Sequence, residues 1–424
     1  MHDIAIIGAG PGGLVTALRL HQQGIPAKIY EAVPELKPLG VGVDIKVYGV
    51  KEIEELGLLD EFRAMSVDAV DSIFYNHFGQ EIYAEKCGVH MGYEHEQRFV
   101  HRGYLQMFLY RKVLERLGED AVVLNAPVVG YEQDEHGVTL RIERADGSTE
   151  EVRHGAVIAV DGIKSAARRQ MHPDLAKPHY SGITMYRGTT LREPFRDGHT
   201  ILHIGDPRIS SMVVYPIADD FEGTGKQLVN WVVEVEAEET IEDWNQLGTV
   251  DDILPLYESV DIDFIDIQQL IRDAREVYLF PLIRHDPLDT WVDGRVALLG
   301  DAAHAMYPRG GNGVCQAILD AGVIAAQLAT HADPHEAFVA YDVLRREPVN
   351  RIVMNMRGEG YEVVRRMVAE RTEGKPLEAP EQIEEVLPLA EADEIFSNYH
   401  RLVGQPLREG HDTFSSGFRT WEAA

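Results

Sequence analysis

The chain has 424 residues, of which 45% are hydrophobic and 26% are charged. These values are ordinary for a globular protein, and the length allows two or more domains. Lys and Arg number 40 against 70 Asp and Glu, so the net charge of −30 argues against nucleic acid or an anionic membrane as a partner. The two cysteines, Cys87 and Cys315, are too few for a disulfide framework, and we therefore expect a reducing, cytoplasmic setting.

Strand and helix signals alternate along the chain, as is typical of an α/β protein. Short apolar runs predict strands at residues 3–7, 27–30, 156–160 and 296–299, and apolar residues at helical spacing predict helices at 14–23 and 102–117. A hairpin is predicted at 137–152, with its turn at Asp146 and Gly147. Alternating stretches such as 211–216 and 228–235 predict a β-rich segment, and the signals after about residue 331 are helical. Since no targeting segment and no run of ~18 apolar residues is visible, we expect no membrane span.

The first motif is a glycine-rich loop between the first predicted strand and the first predicted helix. Gly8 permits a tight turn, Gly10 lets the backbone approach a pyrophosphate, and Gly13 allows close packing of helix on strand. Glu31 follows the second strand, where a carboxylate accepts hydrogen bonds from ribose hydroxyls. These residues predict a dinucleotide site without distinguishing FAD from NAD. The alternative is a structural turn with a solvated Glu31.

The second motif, residues 161–168, directly follows the strand at 156–160. Ser165 is placed to cap the following helix. Asp161 and Arg168 either pair near a bound phosphate or hold the turn together. From the residues alone, a capped turn with a surface ion pair is the favoured interpretation.

The third motif begins at Gly300 and Asp301, after the strand at 296–299. Ligands of α/β sheets bind at such strand ends, and the alternative for Asp301 is an N-cap. From the residues alone, we favour His304 as a packed, hydrogen-bonded side chain. The loop continues through Pro308 to Gly313, and its glycines leave the backbone open to a flat ligand. The amides at the following helix start could serve an anionic ring oxygen.

The three motifs in this order resemble those of the class A flavin-dependent aromatic hydroxylases, the para-hydroxybenzoate hydroxylase-like family, over about residues 1–330. The loop at 308–313 and the segment 40–45 look most like the phenazine-modifying branch. The resemblance implies a non-covalent FAD, NADPH or NADH as a transient co-substrate, and no metal. The cofactor-binding residues that it implies are Gly8, Gly10, Gly13, Glu31, Arg102, Asp161, Asp301, Pro308, Gly311, Asn312 and Gly313.

The resemblance also implies a domain organisation. A Rossmann-type FAD-binding domain (residues 1–72, 98–180 and 281–330) is interrupted by a β-rich substrate domain (73–97 and 181–280), and a C-terminal helical region (331–424) follows. We expect this helical region to cover the flavin domain, with a dimer face as the alternative. The oligomeric state is left as monomer or homodimer.

The implied reaction is hydroxylation of a small electron-rich aromatic or N-heteroaromatic compound, phenolic or carboxylate-bearing, through a flavin C4a-hydroperoxide formed with NAD(P)H and O2. Arg187 is our candidate for orienting the acidic group of the substrate and Tyr215 for hydrogen bonding near the site of attack. The base candidates are His203, Tyr215 and His285, and the expected flat walls are Tyr180, Tyr186, Tyr215 and Trp231. Two other classes stay open: a non-oxygenating FAD-dependent reductase or dehydrogenase, and a binding protein that retains FAD.

Overall fold

The computed structural model describes residues 2–175, 177–237, 246–357 and 360–405. A six-stranded sheet has the order Val292–Asp293, Val296–Leu298, Ala156–Ala159, Ile4–Ile7, Ala27–Tyr30, Val122–Val123. Neighbouring strands are parallel except for the antiparallel edge strand Val292–Asp293. Its central strands are buried apolar runs, as expected of parallel strands that are covered on both faces. The four strands predicted here are confirmed to within one residue, as is the α/β class.

Three helices pack beside this sheet: Pro11–Gln22, Arg102–Leu117 and Gly313–Thr330. The first begins three residues before its predicted start, because proline at the first helical position already has the required φ. The second has the predicted bounds and ends at Gly118, which has φ 96°. The stretch Arg309–Thr330 is long and apolar enough to cross a membrane, but it packs against the Pro11–Gln22 and Pro334–Asn355 helices.

Shorter helices connect these layers. They are Val47–Glu55, Leu59–Arg63, Ala166–Met171, Ile267–Arg272 and Asp301–His304. The predicted hairpin is confirmed as Gly137–Glu143 and Thr149–His154, in a three-stranded antiparallel sheet with Val128–Asp134. Gly147 lies in its turn with φ 82°, which glycine adopts without strain.

A seven-stranded sheet forms the second large layer. Its order is Val277–Arg284, His179–Arg192, Gln227–Glu236, Ser210–Ala218, Thr200–Asp206, Asp71–Tyr75, Glu81–Lys86. Neighbours are antiparallel except Thr200–Asp206 and Asp71–Tyr75, which run parallel. The strands predicted at 211–216 and 228–235 lie inside it. A small antiparallel sheet of Gly42–Ile45, Arg98–His101 and Val67–Asp68 lies beside it.

The C-terminal helices are Pro334–Asn355, Val363–Arg371, Gln382–Val386 and Leu389–Leu402. The first packs on the Gly313–Thr330 helix, as expected of a segment that covers the flavin domain. The later ones also cover the seven-stranded sheet, which the sequence did not predict: Phe396 stacks on Tyr83 with ring centroids 4.1 Å apart. The domain boundaries drawn from the sequence stay a prediction, and residues 406–424 of the helical region lie outside the described residues.

Candidate active site

A cavity of about 390 Å³ lies where three loops converge on the face of the seven-stranded sheet. The loops follow three adjacent strands, Ile4–Ile7, Ala156–Ala159 and Val296–Leu298, and each contributes lining residues, such as Gly10, Gly162 and Asp301. This edge, at the carboxyl ends of parallel strands, is where open α/β sheets bind ligands. Eight of the predicted site residues line the cavity: Gly10, Arg102, Arg187, Tyr215, Asp301, Pro308, Gly311 and Gly313.

The glycines of the first loop have two different roles: Gly8 and Gly13 allow close packing, whereas Gly10 leaves the helix N-terminus open to a ligand. Gly8 has φ 102°, and a Cβ there would lie 2.6 Å from the carbonyl oxygen of Val160. A Cβ at Gly13 would lie 2.0 Å from the carbonyl oxygen of Gly8, so this position requires close packing of helix on strand. A Cβ at Gly10 would meet nothing within 4 Å. Gly10 therefore leaves open the uncapped N-terminus of the Pro11–Gln22 helix, where backbone N–H groups attract anions.

Glu31 supports this loop from the end of the second strand. Its Oε2 accepts a hydrogen bond of 2.7 Å from the Ala9 amide, and its Oε1 accepts one of 3.0 Å from Val33. The side chain does not line the cavity itself. It is therefore held beside the glycine-rich loop, and its contact with a ribose stays a prediction.

The second motif is a capped turn, but its predicted ion pair does not form. Asp161 accepts a 2.7 Å hydrogen bond from the Ala166 amide, and burial raises the pKa of its carboxyl group. Ser165 caps the helix as predicted. Arg168 is fully buried and donates to the carbonyl oxygens of Ala303 and Asp286, both at 2.9 Å, rather than to Asp161. Neither residue lines the cavity, and Arg168 instead ties the second loop to the third.

The third loop presents a carboxylate to the cavity. Asp301 opens the Asp301–His304 helix, yet the N-cap is Gly300 and no side-chain cap bond is present, so Asp301 is not the N-cap. His304 is the packed residue that we favoured, because its Nε2 lies 2.6 Å from Oδ2 of the fully buried Asp320. Asp301 is exposed and lines the cavity.

The loop that begins at Pro308 is anchored by Asn312. Its Oδ1 accepts a 2.8 Å hydrogen bond from the Tyr48 hydroxyl, and its Nδ2 donates one of 2.7 Å to the Tyr399 hydroxyl. Asn312 is fully buried and does not line the cavity, whereas the flanking Gly311, with φ 69°, does. Asn312 thus fixes a loop whose neighbouring backbone faces the ligand.

The seven-stranded sheet supplies the opposite wall. In one row across it, Arg187 pairs with Val232, Val232 with Val213, and Val213 with His203. The Arg187 guanidinium donates to the Gly42 carbonyl oxygen at 3.2 Å and lies 5.7 Å from the Phe280 ring. It has no carboxylate partner among the described residues, and burial lowers its pKa.

Tyr215 lines the same cavity from the neighbouring row of the sheet. Its ring packs beside Phe99, with centroids 5.0 Å apart, and burial raises the pKa of its phenol. Tyr215 is therefore a neutral hydrogen-bond donor at ordinary pH.

The other predicted aromatic walls were wrong. Tyr186 directly precedes Arg187, and Trp231 directly precedes Val232. Because successive side chains of a strand point to opposite faces of the sheet, both aromatic rings lie on the face away from the cavity. Trp231 is fully buried and donates to the Thr190 hydroxyl at 3.2 Å, and Tyr180 donates to the Ala237 carbonyl oxygen. The aliphatic side chains and the methionine that line the cavity from this sheet are instead Met185, Ile201, Val213 and Val232.

One of the base candidates is excluded by its position, and several lining residues were missed. His285 is buried away from the cavity, with Nε2 2.8 Å from the Ile163 carbonyl oxygen. His203, by contrast, lines the cavity and stays a candidate base. The missed polar residues are Asp44, Ser211, Glu234, Arg309, Tyr361, Glu362 and Arg365. The last three come from the C-terminal helical region, where no motif marks them.

The donor and acceptor set of this site fits FAD. The open helix N-terminus at Gly10 suits a pyrophosphate. Arg102 lines the cavity and makes no ion pair within the described residues, so its charge is available to the same phosphates. Asp301 offers a carboxylate without a cap bond, and Gly310 and Gly311 bring backbone to the cavity wall, where a flat ring can lie against it. Fold and site therefore define a flavoprotein whose FAD-binding loops share one cavity with the face of the seven-stranded sheet.

Comparison with known proteins agrees. The FAD binding domain family matches residues 1–356. The phenazine 1,6-dicarboxylic acid hydroxylase of Lysobacter antibioticus is 36% identical over 358 residues, which cover 83% of this chain and 88% of that protein. The aurachin C monooxygenase/isomerase of Stigmatella aurantiaca is 31% identical over 356 residues, 82% of this chain and 86% of that protein. Klebsiella pneumoniae HpxO, solved with FAD and uric acid, superposes with a TM-score of 0.73 at 24% identity, over 96% and 98% of the two chains.

The chain belongs to the FAD binding domain family. Within it, the protein is an FAD-dependent monooxygenase of the aromatic hydroxylase class, as the resemblance implied.

Proposed function

We propose that this enzyme hydroxylates a planar, electron-rich N-heteroaromatic or aromatic acid with NAD(P)H and O2, in the cytoplasm. The observation that carries the proposal is Arg187, a guanidinium inside the protein at the cavity wall with no carboxylate partner among the described residues. Arg187 is half-buried at the cavity wall, so its charge is only partly solvated and is not neutralised by a carboxylate of the described residues. A carboxylate on the substrate would supply that partner and accept two parallel hydrogen bonds.

The rest of the pocket suits a flat ring. Met185, Ile201, Val213 and Val232 form an apolar wall against which a ring can pack, and polar side chains such as Arg187 and Tyr215 line the same cavity and can orient it. The Lysobacter antibioticus relative is named for phenazine 1,6-dicarboxylic acid, which is a planar N-heteroaromatic compound with carboxylates. This name supports the same substrate class here.

Bound FAD supplies the redox chemistry by which electrons from NAD(P)H activate O2. Gly10, Arg102 and Asp301 would hold it, with Glu31, Asp161 and Asn312 supporting the three loops. Arg187 orients the acidic group of the substrate. Tyr215, kept protonated by burial, donates a hydrogen bond to a substrate oxygen near the reacting carbon. The aliphatic walls exclude water from the ring.

The test uses FAD-loaded protein with NADH or NADPH and a panel of compounds. The panel contains phenazine-1-carboxylate and benzoate, analogues of these two acids in which an amine replaces the carboxylate, and unsubstituted phenazine. We expect oxygen uptake and ¹⁸O incorporation from ¹⁸O2 with the carboxylates, and weak or no product with the amines. Arg187→Ala and Tyr215→Phe should each lower kcat/KM. Reduction of a substrate without oxygen uptake would support a reductase instead, and equal turnover of acids and amines would contradict the role of Arg187.

A further inference from the structure

His203, Glu362 and Arg365 form a charged cluster that lines the cavity. The cluster lies at the far end of the row of paired residues that crosses the seven-stranded sheet from Arg187 to His203. His203 lies three strands from Arg187, so their Cα atoms are separated by roughly 14 Å at ~4.8 Å per strand. Its Nδ1 lies 2.9 Å from Oε1 of Glu362, and Glu362 also accepts from Arg365. All three side chains are buried: the exposed fractions are 3% for His203, 7% for Glu362 and 1% for Arg365.

The C-terminal helices hold this cluster rigidly. Arg365 donates to the Ile204 carbonyl oxygen at 2.5 Å and to the Ser211 hydroxyl at 3.1 Å, so the guanidinium is fixed to two strands of the sheet. The imidazole of His203 stacks on Phe74, with centroids 4.3 Å apart and planes within 5°. Glu362 and Arg365 lie beyond residues 1–356, which the FAD binding domain family covers.

The protonation state of this cluster follows from its partners. Although burial opposes it, Arg365 and then His203 lower the pKa of Glu362 to about 2, so the group is a carboxylate at ordinary pH. A carboxylate can only accept hydrogen bonds, so Nδ1 of His203 must carry a proton. In the neutral imidazole, Nε2 is then the acceptor, and it makes no hydrogen bond to any residue that the structure describes.

Other charged and titratable groups surround His203. Tyr361 packs edge-on at 5.8 Å. A small cavity of about 20 Å³ behind the histidine is also lined by Asp44, Lys46, Glu85 and His400. Lys46 pairs with Asp44 at 2.7 Å, and His400 lies 3.1 Å from Glu85. Because these charges are paired among themselves, Glu362 is the carboxylate that bonds directly to His203.

Resting on the proposed function, we propose that Glu362, anchored by Arg365, is a positioning residue for His203. It holds the imidazole so that Nε2 accepts a proton from a hydroxyl group on the substrate. This hydroxyl group lies at the end of the substrate opposite its acidic group. The O–H bond breaks, an N–H bond forms at Nε2, and the electron pair stays on the substrate oxygen. The resulting oxyanion enriches the ring to be hydroxylated, and Glu362 compensates the charge of the imidazolium. The substrate class is therefore a hydroxylated aromatic or N-heteroaromatic acid.

The first measurement tests the tautomer without turnover. In ¹⁵N-histidine NMR spectra of the FAD-loaded protein, with His203→Gln for assignment, we expect neutral His203 to be protonated at Nδ1. Glu362→Gln should mix or invert the tautomers. An Nε2-protonated His203 in the unmodified protein would overturn the proposal, and this result needs no variant of Glu362 to fold.

The second measurement uses 7-hydroxyphenazine-1-carboxylate and its 7-methoxy analogue as probes. Glu362→Gln should lower kcat for the hydroxy probe by ~10- to 100-fold with little change in KM, since proton transfer typically contributes 10²–10⁴-fold. It should leave the methoxy probe unaffected, and Glu362→Asp should restore part of the rate. Glu370→Gln, in an exposed pair with Arg366 on the following helix, is the matched control.

The outcomes separate the two proposals. If neither probe incorporates ¹⁸O, the proposed function fails whatever the NMR spectra show. If the hydroxy probe is hydroxylated and Glu362→Gln keeps the kcat of the unmodified enzyme, the positioning role alone is wrong.

Discussion

The side-chain amide of Asn312 donates a 2.7 Å hydrogen bond to the hydroxyl of Tyr399, and 87 residues of chain separate the two. Asn312 belongs to the loop that begins at Pro308, and Tyr399 lies in the helix Leu389–Leu402. The Tyr399 hydroxyl also lies 3.4 Å from the Gly310 carbonyl oxygen. The C-terminal helices therefore fix the loop beside the flavin site as well as covering the core.

Tyr399→Phe should loosen this loop. The variant leaves the buried Asn312 amide without its acceptor, which costs about 1–3 kcal/mol of unfolding free energy. We expect a lower Tm and a higher Kd for FAD, measured by thermal unfolding and by flavin fluorescence. Tyr131→Phe is the matched control, because it removes a 2.7 Å hydrogen bond to Asp293 on a different sheet. If both variants changed FAD affinity equally, the loop would not depend on Tyr399.

Two glycines of the first loop should respond differently to the same substitution. Gly13→Ala places a Cβ 2.0 Å from the Gly8 carbonyl oxygen, so it should destabilise the FAD-free protein by about 3 kcal/mol. Gly10→Ala meets nothing within 4 Å and has φ −68°, so the FAD-free protein should keep its stability. The added methyl group instead lies where FAD is expected, and the Kd for FAD should rise ~10-fold or more.

Urea unfolding of the FAD-free proteins and titration with FAD would measure these two effects. If FAD-free Gly10→Ala were as unstable as Gly13→Ala, Gly10 would be needed for packing, and its proposed role of leaving space for FAD would be wrong.

The loops could be predicted because their requirements are local. A turn with positive φ at Gly8 and close packing at Gly13 depend on a few adjacent residues, and so does the capping of a helix by Ser165. The strand ends that carry Asp301 and Gly10 follow from short apolar runs. Local sequence therefore sufficed for the flavin side of the site.

On the substrate side, Arg187, Tyr215 and His203 were named from the sequence and line the cavity, but the rest could not be predicted because it depends on strand parity and on distant contacts. A shift of one residue turns Trp231 away from the cavity while Val232 faces it. His203 and Glu362 are 159 residues apart and meet only when the C-terminal helices pack on the sheet. No local pattern distinguishes Glu362 from the many surface glutamates of so acidic a chain.

Arg187→Met should show opposite effects on stability and function. It removes an inward-facing cation without a carboxylate partner among the described residues, so the substrate-free enzyme should have an equal or higher Tm. It also removes a charged hydrogen bond worth about 1.5–3 kcal/mol, so KM for phenazine-1-carboxylate should rise ~10- to 100-fold. Arg187→Lys should recover part of the affinity, since it keeps the charge without the planar fork.

Arg192→Met is the control for the Arg187 prediction, because Arg192 lies on the same strand outside the cavity. A fall in Tm for Arg187→Met with no change in KM would assign Arg187 to folding rather than to the substrate.

The stability of the enzyme in acid should depend on Glu362. The fold lowers its pKa from 4.5 to about 2, with Arg365 and His203 overcoming the effect of burial. A depressed pKa contributes stability that is fully present above the ordinary value and is lost as the pH falls through the folded value. The unmodified protein should therefore be more stable than Glu362→Gln at pH 5, and this difference in unfolding free energy should shrink as the pH falls to 2, by at most roughly 3 kcal/mol. Urea unfolding of both proteins across this pH range would measure the difference. The corresponding difference for Glu370→Gln, whose exposed carboxylate pairs with Arg366, should change far less. A difference for Glu362→Gln that does not depend on pH would show that Glu362 is not held as a carboxylate by its two partners.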